Sequence, residues 1–316
     1  MGLFAKTKKN VGWMAITLRD DGIRVASANR SAGAKPAIEL AVSYPNNKSS
    51  FPVLLERLTK ALHAERYACI SLLAAGEYQL LSVDAPNVPP EELKTAIRWR
   101  LKDMLDFHID DATIDVLDIP VDKNAPARGH SMYAVAARNQ QIAQHQALFG
   151  AAKIPLSVID IPEMAQRNIS ELLEPEGRGV ALLSFDAEGG LLTVTYSGEL
   201  YLSRRIDVTL QQLVQSGAEQ KIAFHEKITL ELQRSLDHFD RQYHSIAISK
   251  LILAPLSDDS TGLSEYLSAN LYILVESLNL ESILDIAKVP ELKSLAAQQS
   301  YFMTLGTALR QEEKVL

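Results

Sequence analysis

The sequence predicts an α/β protein built on an internal duplication, with a strand–helix segment inserted in its first half. Three observations predict it. Residues 179–207, GVALLSFDAEGGLLTVTYSGELYLSRRID, contain apolar runs at 180–185, 191–196 and 200–206. Turns at 186–190 and Ser197-Gly198 cut these runs, the pattern of successive hairpin strands. A similar unit opens the chain, where 11–18 turns at Asp20-Asp21-Gly22 into 23–28, and a unit used twice points to two related lobes. Between and after these units, strand-like and helix-like segments alternate, which is the order of an α/β fold.

The first unit continues into a loop at 31–35 and a third strand at 38–43. Residues 53–64 carry Leu54, Leu55, Leu58 and Leu62 at helical spacing. Segments 69–74 and 79–83 read as paired strands around Gly76. Pro89-Pro90-Glu91-Glu92 is a helix start, because Pro suits the first turn and acids suit the positive end of the dipole. That helix is predicted to run to Phe107, with Leu93, Ile97, Leu101, Met104 and Leu105 as its buried stripe. Trp99 points away from the stripe, flanked by Arg98, Arg100 and Lys102. An indole there is either covered by a neighbouring subdomain or anchors a partner, since Trp and Arg are enriched at binding hot spots.

Further strands are predicted at 113–119 and 131–137, joined by the polar segment 122–130. A helix at 139–152, a strand at 156–161 and a helix at 162–173 follow. Beyond the second hairpin unit, 210–239 reads as largely helical, with Ile222, Phe224, Ile228, Leu232, Leu236 and Phe239 on one side. The chain closes with a strand at 246–253, a helix at 263–271, a short element at 280–286 and a helix at 292–309.

Composition bounds the function. A chain of 316 residues, 47% hydrophobic and 22% charged, is an ordinary globular protein of one large or two medium domains. Its net charge of −7 argues against a nucleic-acid surface. Cys69, the one cysteine, sits in the apolar run 68–74 as a small buried hydrophobe, consistent with a reducing compartment. No segment approaches the roughly 18 apolar residues a bilayer span needs, and the start lacks the apolar core of a signal peptide. That start, MGLFAKTKKN, sets Leu3 and Phe4 beside Lys6, Lys8 and Lys9. It is either a solvated terminus or a contact for an anionic leaflet, worth about 1 kcal/mol per near-surface cation.

Catalytic constellations are absent from the sequence: no GxxxxGK, no GxGxxG after a strand, no GxSxG and no HExxH. His225, His238 and His244 fall in a charged helical region and are expected on a solvated face. His108-Ile109-Asp110-Asp111 reads as an acidic helix exit.

Five segments in order carry a likeness. They are MGLFAKTKKNVGWMAIT at 1–17, EELKTAIRWRLKDMLDFHIDDATIDVLDI at 91–119, VAARNQQIAQHQALFGAAKIPLSVIDIPEMAQ at 135–166, ITLELQRSLDHF at 228–239 and YFMTLGTALR at 301–310. Together they resemble the PilM-type pilus-assembly proteins, in a divergent branch of the kind serving mannose-sensitive haemagglutinin (MSHA) pili. The resemblance implies a two-lobed actin-like fold, a ribonuclease H-like duplication with a small α+β subdomain inserted in the first lobe. It divides the chain into a first lobe at 1–178, with the insertion at about 33–137, and a second lobe at 179–291. The closing helix, 292–316, would pack back on the first lobe.

The resemblance also implies that the cytoplasmic tail of a PilN-like bitopic membrane protein docks between the first lobe's core and the insertion. Other pilus-assembly proteins are implied as partners too. In actin-like ATPases an Asp in each hairpin positions Mg²⁺ and a Gly admits phosphate. Laid on this sequence, the first hairpin has Met14 and Ile16 at those positions, followed by Thr17, and the second has Ser184 and Asp186. The adenosine-contacting glycine turn falls at 254–257, here Ala-Pro-Leu-Ser. A shifted register leaves Asp186 with Gly189-Gly190 as another phosphate turn.

The resulting expectation is a non-catalytic cytoplasmic scaffold, peripheral at the inner membrane, with no cofactor or metal and partner contacts at Arg98, Trp99 and Lys102. The alternatives are an actin-like ATPase using ATP with Mg²⁺, or a cytoplasmic component of a type II secretion system. Against the latter, those chains continue into a membrane span and this one ends at Leu316 without one.

Overall fold

The computed structural model describes residues 12–31, 33–120, 130–257 and 262–311. The basic start at 1–10, Val11, most of the polar segment 122–130 and the end of the expected closing helix at 312–316 lie outside the described residues.

The first hairpin is β1 (Trp13–Arg19) and β2 (Gly22–Asn29), followed by β3 (Ala37–Pro45), all antiparallel. Gly22 is required at the turn: its φ is +138°, and a Cβ would come within 2.2 Å of Tyr44 O. Helix α1 (Phe51–Leu62) buries Leu54, Leu55 and Leu58 on the sheet, and His63 ends it in a left-handed conformation at φ 51°. Strand β4 (Ala68–Leu72) then runs parallel to β1.

Here the chain departs from the sequence expectation. Segments 69–74 and 79–83 do not pair, because both edges of β4 are taken, by β1 and by a later strand of the same sheet. Strand β5 (Tyr78–Asp84) instead opens a separate three-stranded sheet with β6 (Ala112–Asp118) and β7 (Ser131–Arg138), in the order β5-β7-β6. Residues 33–137 are therefore not one structural unit, since β3, α1 and β4 belong to the first sheet and only 78–138 carries the inserted one.

Helix α2 (Pro90–Leu101) covers one face of the inserted sheet through Ile97 and Leu101. It stops at Leu101 rather than Phe107, where the amides of Met104 and Leu105 both return to Leu101 O and close a tight turn. Asp103 and Asp106 follow at the negative end of the helix dipole, which disfavours carboxylates. Met104, expected in the stripe, is 46% exposed.

The first sheet is completed by α3 (Asn139–Ala151) and β8 (Leu156–Asp160), giving the order β3-β2-β1-β4-β8. Helix α4 (Pro162–Ser170) then leads into the second lobe. There β9 (Gly179–Phe185), β10 (Gly190–Tyr196) and β11 (Glu199–Ile206) form an antiparallel meander. After α5 (Leu210–Gln215) and α6 (Ala218–Gln242), β12 (Ile248–Leu253) pairs in parallel with β9. Helix α7 (Leu263–Asn270) and β13 (Val275–Ser277) complete the order β11-β10-β9-β12-β13. The two five-stranded sheets share order and strand direction, which is the duplication the sequence predicts.

The long helix expected at 210–239 breaks at Ser216-Gly217, which caps α6 instead of continuing α5. In α6 the buried stripe is His225, Ile228, Leu232 and Phe239, whereas Ile222 is 52% exposed. His225 is thus not on a solvated face; it is buried, with its ring 5.1 Å from that of Tyr266.

The final helix, α8 (Leu295–Ala308), starts three residues later than expected because Ser294 caps it, accepting from Ala297 N. It lies against β1, β2 and α4. Where α8 crosses α4, Gly306 faces Ala165 so closely that a Cβ would sit 2.2 Å from the Ala165 carbonyl oxygen.

Gly306→Ala is accordingly expected to destabilise the protein by about 3 kcal/mol, as overpacking against backbone does. Gly150→Ala in α3, where nothing lies within 4 Å, should gain about 0.5–1 kcal/mol from helix propensity. Urea unfolding of both variants measures the contrast.

Candidate functional site

Two concave features border the first lobe. The first is the cleft between the lobes, a cavity of about 490 Å³. The β1–β2 turn brings Asp20 and Asp21 to it, and the β9–β10 turn brings Asp186 and Glu188. Glu77, from the turn before β5, and His145, from α3, line it as well.

The positions where the resemblance places phosphate contacts do not share one environment. Met14 and Ile16 are fully buried and pack with Leu54, Leu58 and Phe149 beneath α1. Thr17 borders the cleft, but its hydroxyl lies 2.6 Å from that of Thr304 on α8. Ser184 is buried and donates to Gln166 Oε1 at 2.6 Å. Asp186 turns its Oδ1 back on its own loop, accepting from the amides of Glu188 (2.8 Å) and Gly189 (3.2 Å). Residues 254–257 follow β12, where Ser257 N donates to Gln299 Oε1 at 3.1 Å.

Across the mouth of the cleft two successive amides are occupied by carboxylates. Ala74 N donates to Glu77 Oε2 at 2.8 Å, and Ala75 N donates to Glu188 Oε2 at 2.9 Å. The second bond ties the β9–β10 turn of the second lobe to the chain leaving β4. Glu77 is also 3.2 Å from His145 Nε2, while His145 Nδ1 is 3.4 Å from the Ser71 hydroxyl. The hydrogen bond from His145 holds the Glu77 carboxyl below the usual carboxylate range; burial opposes it and the Ala74 amide adds to it.

The second feature is a groove of about 260 Å³ between the inserted sheet and the first lobe. Thr113 and Asp115 of β6 and Val135 and Ala137 of β7 form one wall. Ile142 of α3 and Leu156 to Ile159 of β8 form the other. Both β6 and β8 are edge strands.

Arg98, Trp99 and Lys102 do not line this groove. Arg98 and Trp99 belong to α2 and Lys102 caps its end; α2 covers the opposite face of the inserted sheet through Met132 and Ala134. Arg98 is engaged locally, donating to Ala112 O at 3.1 Å and Asp110 Oδ1 at 3.3 Å. Trp99 is 73% exposed, so no neighbouring subdomain among the described residues covers it, and Lys102 is exposed at the end of α2. The groove residues were missed in the sequence, though one signal was available. Strand β7 reads MYAVAA, apolar at odd and even positions alike, the mark of a strand covered on both faces.

No protein-family model and no curated protein matches the chain by sequence. Among solved structures, the chain is similar to a PilM-PilN type IV pilus biogenesis complex, with a TM-score of 0.69 and 18% identity over 95% of this chain and 98% of that one. It is also similar to a Bacteroides thetaiotaomicron protein with an actin-like ATPase fold and unknown function, at a TM-score of 0.50 and 10% identity over 92% of this chain and 99% of that one. The fold is actin-like. A weaker likeness, at a TM-score of 0.42 and 14% identity, is to the cytoplasmic domain of EpsL, an inner-membrane component of the type II secretion system of Vibrio cholerae; it covers 65% of this chain and 75% of that one. In this actin-like frame the 490 Å³ cleft separates the two lobes, and the groove lies between the first lobe and its insertion.

Glu77 gives the cleft a pH signature. A carboxyl held low in the folded state contributes stability that is fully present above its unfolded value, about 4.3, and is lost as pH falls through the lower folded value. The stability difference between wild type and Glu77→Gln should therefore be largest near neutral pH and shrink below about pH 4. Urea midpoints measured from pH 7 to pH 3 follow it; a difference independent of pH contradicts the assignment.

Proposed function

We propose that the protein is a non-catalytic scaffold of a type IV pilus assembly machine, holding the cytoplasmic tail of a PilN-like bitopic inner-membrane protein in the groove between β6 and β8. The observation that carries this reading is a groove lined by two edge strands, β6 and β8, with Val135, Ile142 and Ile159 among its apolar residues. An extended segment laid there can satisfy its backbone on a strand edge and place alternate side chains in the apolar floor. The similarity to a PilM-PilN complex over 95% of the chain supports the same partner class. A scaffold of this kind works at the cytoplasmic face of the membrane, held there by its partner. Among the described residues no helix is long and apolar enough to cross a bilayer. Assignment to the MSHA branch rests on the divergence of the sequence motifs, and neighbouring PilN-, PilO- and secretin-like reading frames would test it.

The interlobe cleft does not fit a Mg²⁺-nucleotide. Apolar Met14 and Ile16 are sealed in the core, the Ser184 hydroxyl is committed to Gln166, and Asp186 is committed to its own turn. Asp20, Asp21, Glu77 and Glu188 add negative charge where a polyphosphate would lie, with Arg19 the arginine on the same wall. A working ATPase would need these groups rearranged, so no catalytic step is assigned to the cleft.

A synthetic peptide of the PilN-like cytoplasmic tail should bind the full chain with a Kd of about 10 μM, or roughly −7 kcal/mol. Ile142→Glu, which sets a carboxylate in the groove wall, should weaken that binding at least about tenfold. Absence of binding to the wild type would sink the docking reading. Calorimetry with ATP and Mg²⁺ tests the other half: affinity tighter than about 100 μM, roughly −5.5 kcal/mol, would overturn the nucleotide-free scaffold.

A further inference from the structure

The inner face of the inserted sheet is divided between two neighbours. On β7, Val135 and Ala137 face the groove, while Tyr133 on the same face meets the second lobe. The Tyr133 hydroxyl donates to Tyr201 O at 3.2 Å and accepts from Ser203 N at 3.2 Å. It thus occupies the free edge of β11 as a neighbouring strand would. One residue pair from the groove, Tyr78 of β5 sits opposite Ala137. Its hydroxyl donates to Glu163 Oε2 and accepts from Arg205 Nη2 at 2.7 Å. Arg205, on β11, also donates to Glu163 Oε1 at 3.1 Å, and Glu163, at the start of α4, is 2% exposed. Burial, then the adjacent Glu163 carboxylate, pushes the Tyr78 hydroxyl well above its usual range, so it remains a donor.

We infer that the second lobe sets the width of the groove: Arg205, acting through Tyr78 and Glu163, and the β11 edge, acting through Tyr133, are positioning elements that hold the inserted sheet at a fixed distance from β8. Neither Arg205 nor Tyr133 lines the groove. Their effect on a bound segment is indirect, through the orientation of β6 and β7. A buried carboxylate shared by a tyrosine and an arginine is a directional anchor, and removing one partner leaves the others unsatisfied in the interior. Any movement of the second lobe at β11 is passed to the groove by these two contacts. The lobe thereby acts as a regulator of the groove, although it forms none of its wall.

The part of this inference that concerns a bound segment rests on the docking function proposed above, and the experiment separates the two. Spin labels at Glu56→Cys on α1 and Arg100→Cys on α2, both exposed, report the distance across the groove in the full chain. Native Cys69 is buried, and burial pushes its thiol up to about 12, so it stays unlabelled. Wild type should give one narrow distance distribution, and Arg205→Ala and Tyr133→Phe should each broaden it about twofold. Arg205→Lys, which keeps the charge beside Glu163, should restore most of the wild-type width. If Arg205→Ala fails to fold by circular dichroism, Tyr133→Phe and Arg205→Lys carry the test. Unchanged distributions in the folded variants overturn the inference. Titration with the PilN-like tail peptide forms the second arm, in which both variants should bind at least about fivefold more weakly. Broadened distributions with unchanged peptide affinity overturn the claim on the groove. A wild type that binds no peptide overturns the docking function, while the distance distributions still decide whether the second lobe positions the sheet.

Discussion

Every larger feature of this molecule depends on the crossing of α4 and α8. The two helices approach until the backbone of one meets the backbone of the other, at Gly306 and Ala165. Such an approach excludes any side chain at position 306 and turns a helix contact into a fixed pivot. Polar bonds lock it. Asn168 donates to Gly306 O at 2.9 Å, and Gln166 donates to Leu182 O (2.8 Å), Leu191 O (3.1 Å) and Thr193 Oγ1 (3.0 Å) in the second sheet. Helix α4 follows directly on the first sheet yet packs on the second, and α8 follows the second lobe yet packs on the first. Each lobe therefore owes one covering helix to the other, and neither has a complete core alone.

That exchange frames the cleft, and the two hairpins bring different groups to it. In the first hairpin, Met14 and Ile16 are sealed beneath α1 with Leu54 and Leu58. A carboxylate at such a site needs solvent or a cation to offset its burial, whereas an apolar side chain contributes about 1.5–3 kcal/mol by being there. The second hairpin keeps an acid, Asp186, but spends it on capping its own turn. The Glu188 carboxylate on the Ala75 amide then supplies a cross-cleft bond from the chain's own side chains. The pivot formed by the helices and the bridge from Glu188 join the two lobes through the chain's own groups.

How much of this was legible in the sequence follows from the range of the interactions. Strands β9, β10 and β11 were readable because each is an apolar run cut by a glycine-containing turn, and a turn is a local event. The recurrence of that unit gave the duplication. Pairing was not readable: a short strand at 79–83 fits any partner, and only the closed edges of β4 exclude the pairing with 69–74. The end of α2 was misread because the apolar spacing continues through Met104 and Leu105 while the acids at 103 and 106 end the helix first. Trp99 stands out in the sequence as an isolated indole on a polar face, whereas the groove is assembled from β6, β7, α3 and β8, which no single stretch of sequence displays. His225 was misplaced for a similar reason, since the partner that buries its ring, Tyr266, lies on another helix.

The groove itself follows from the size of the insertion. Three strands and one short helix cannot form a self-sufficient core; a sheet of this size needs a covering on each face. Helix α2 supplies one, through Ile97 and Leu101. The other face carries Tyr78 and Leu80 on β5, Tyr133, Val135 and Ala137 on β7 and Leu117 on β6, with the polar Thr113 and Asp115 beside them on β6. The second lobe covers the half around Tyr133 and Leu117, and the start of α4, with Ile161 and Met164, covers the part around Tyr78. What remains is the strip at half-buried Val135 and exposed Thr113 and Asp115 opposite β8, partly shielded by Ile142 and Ile159. A strip of mixed chemistry beside two edge strands is a geometry that an added strand can complete. The groove is thus the uncovered remainder of the insertion's own packing requirement. The contacts that fix where the covered part ends also fix the shape of what is left open.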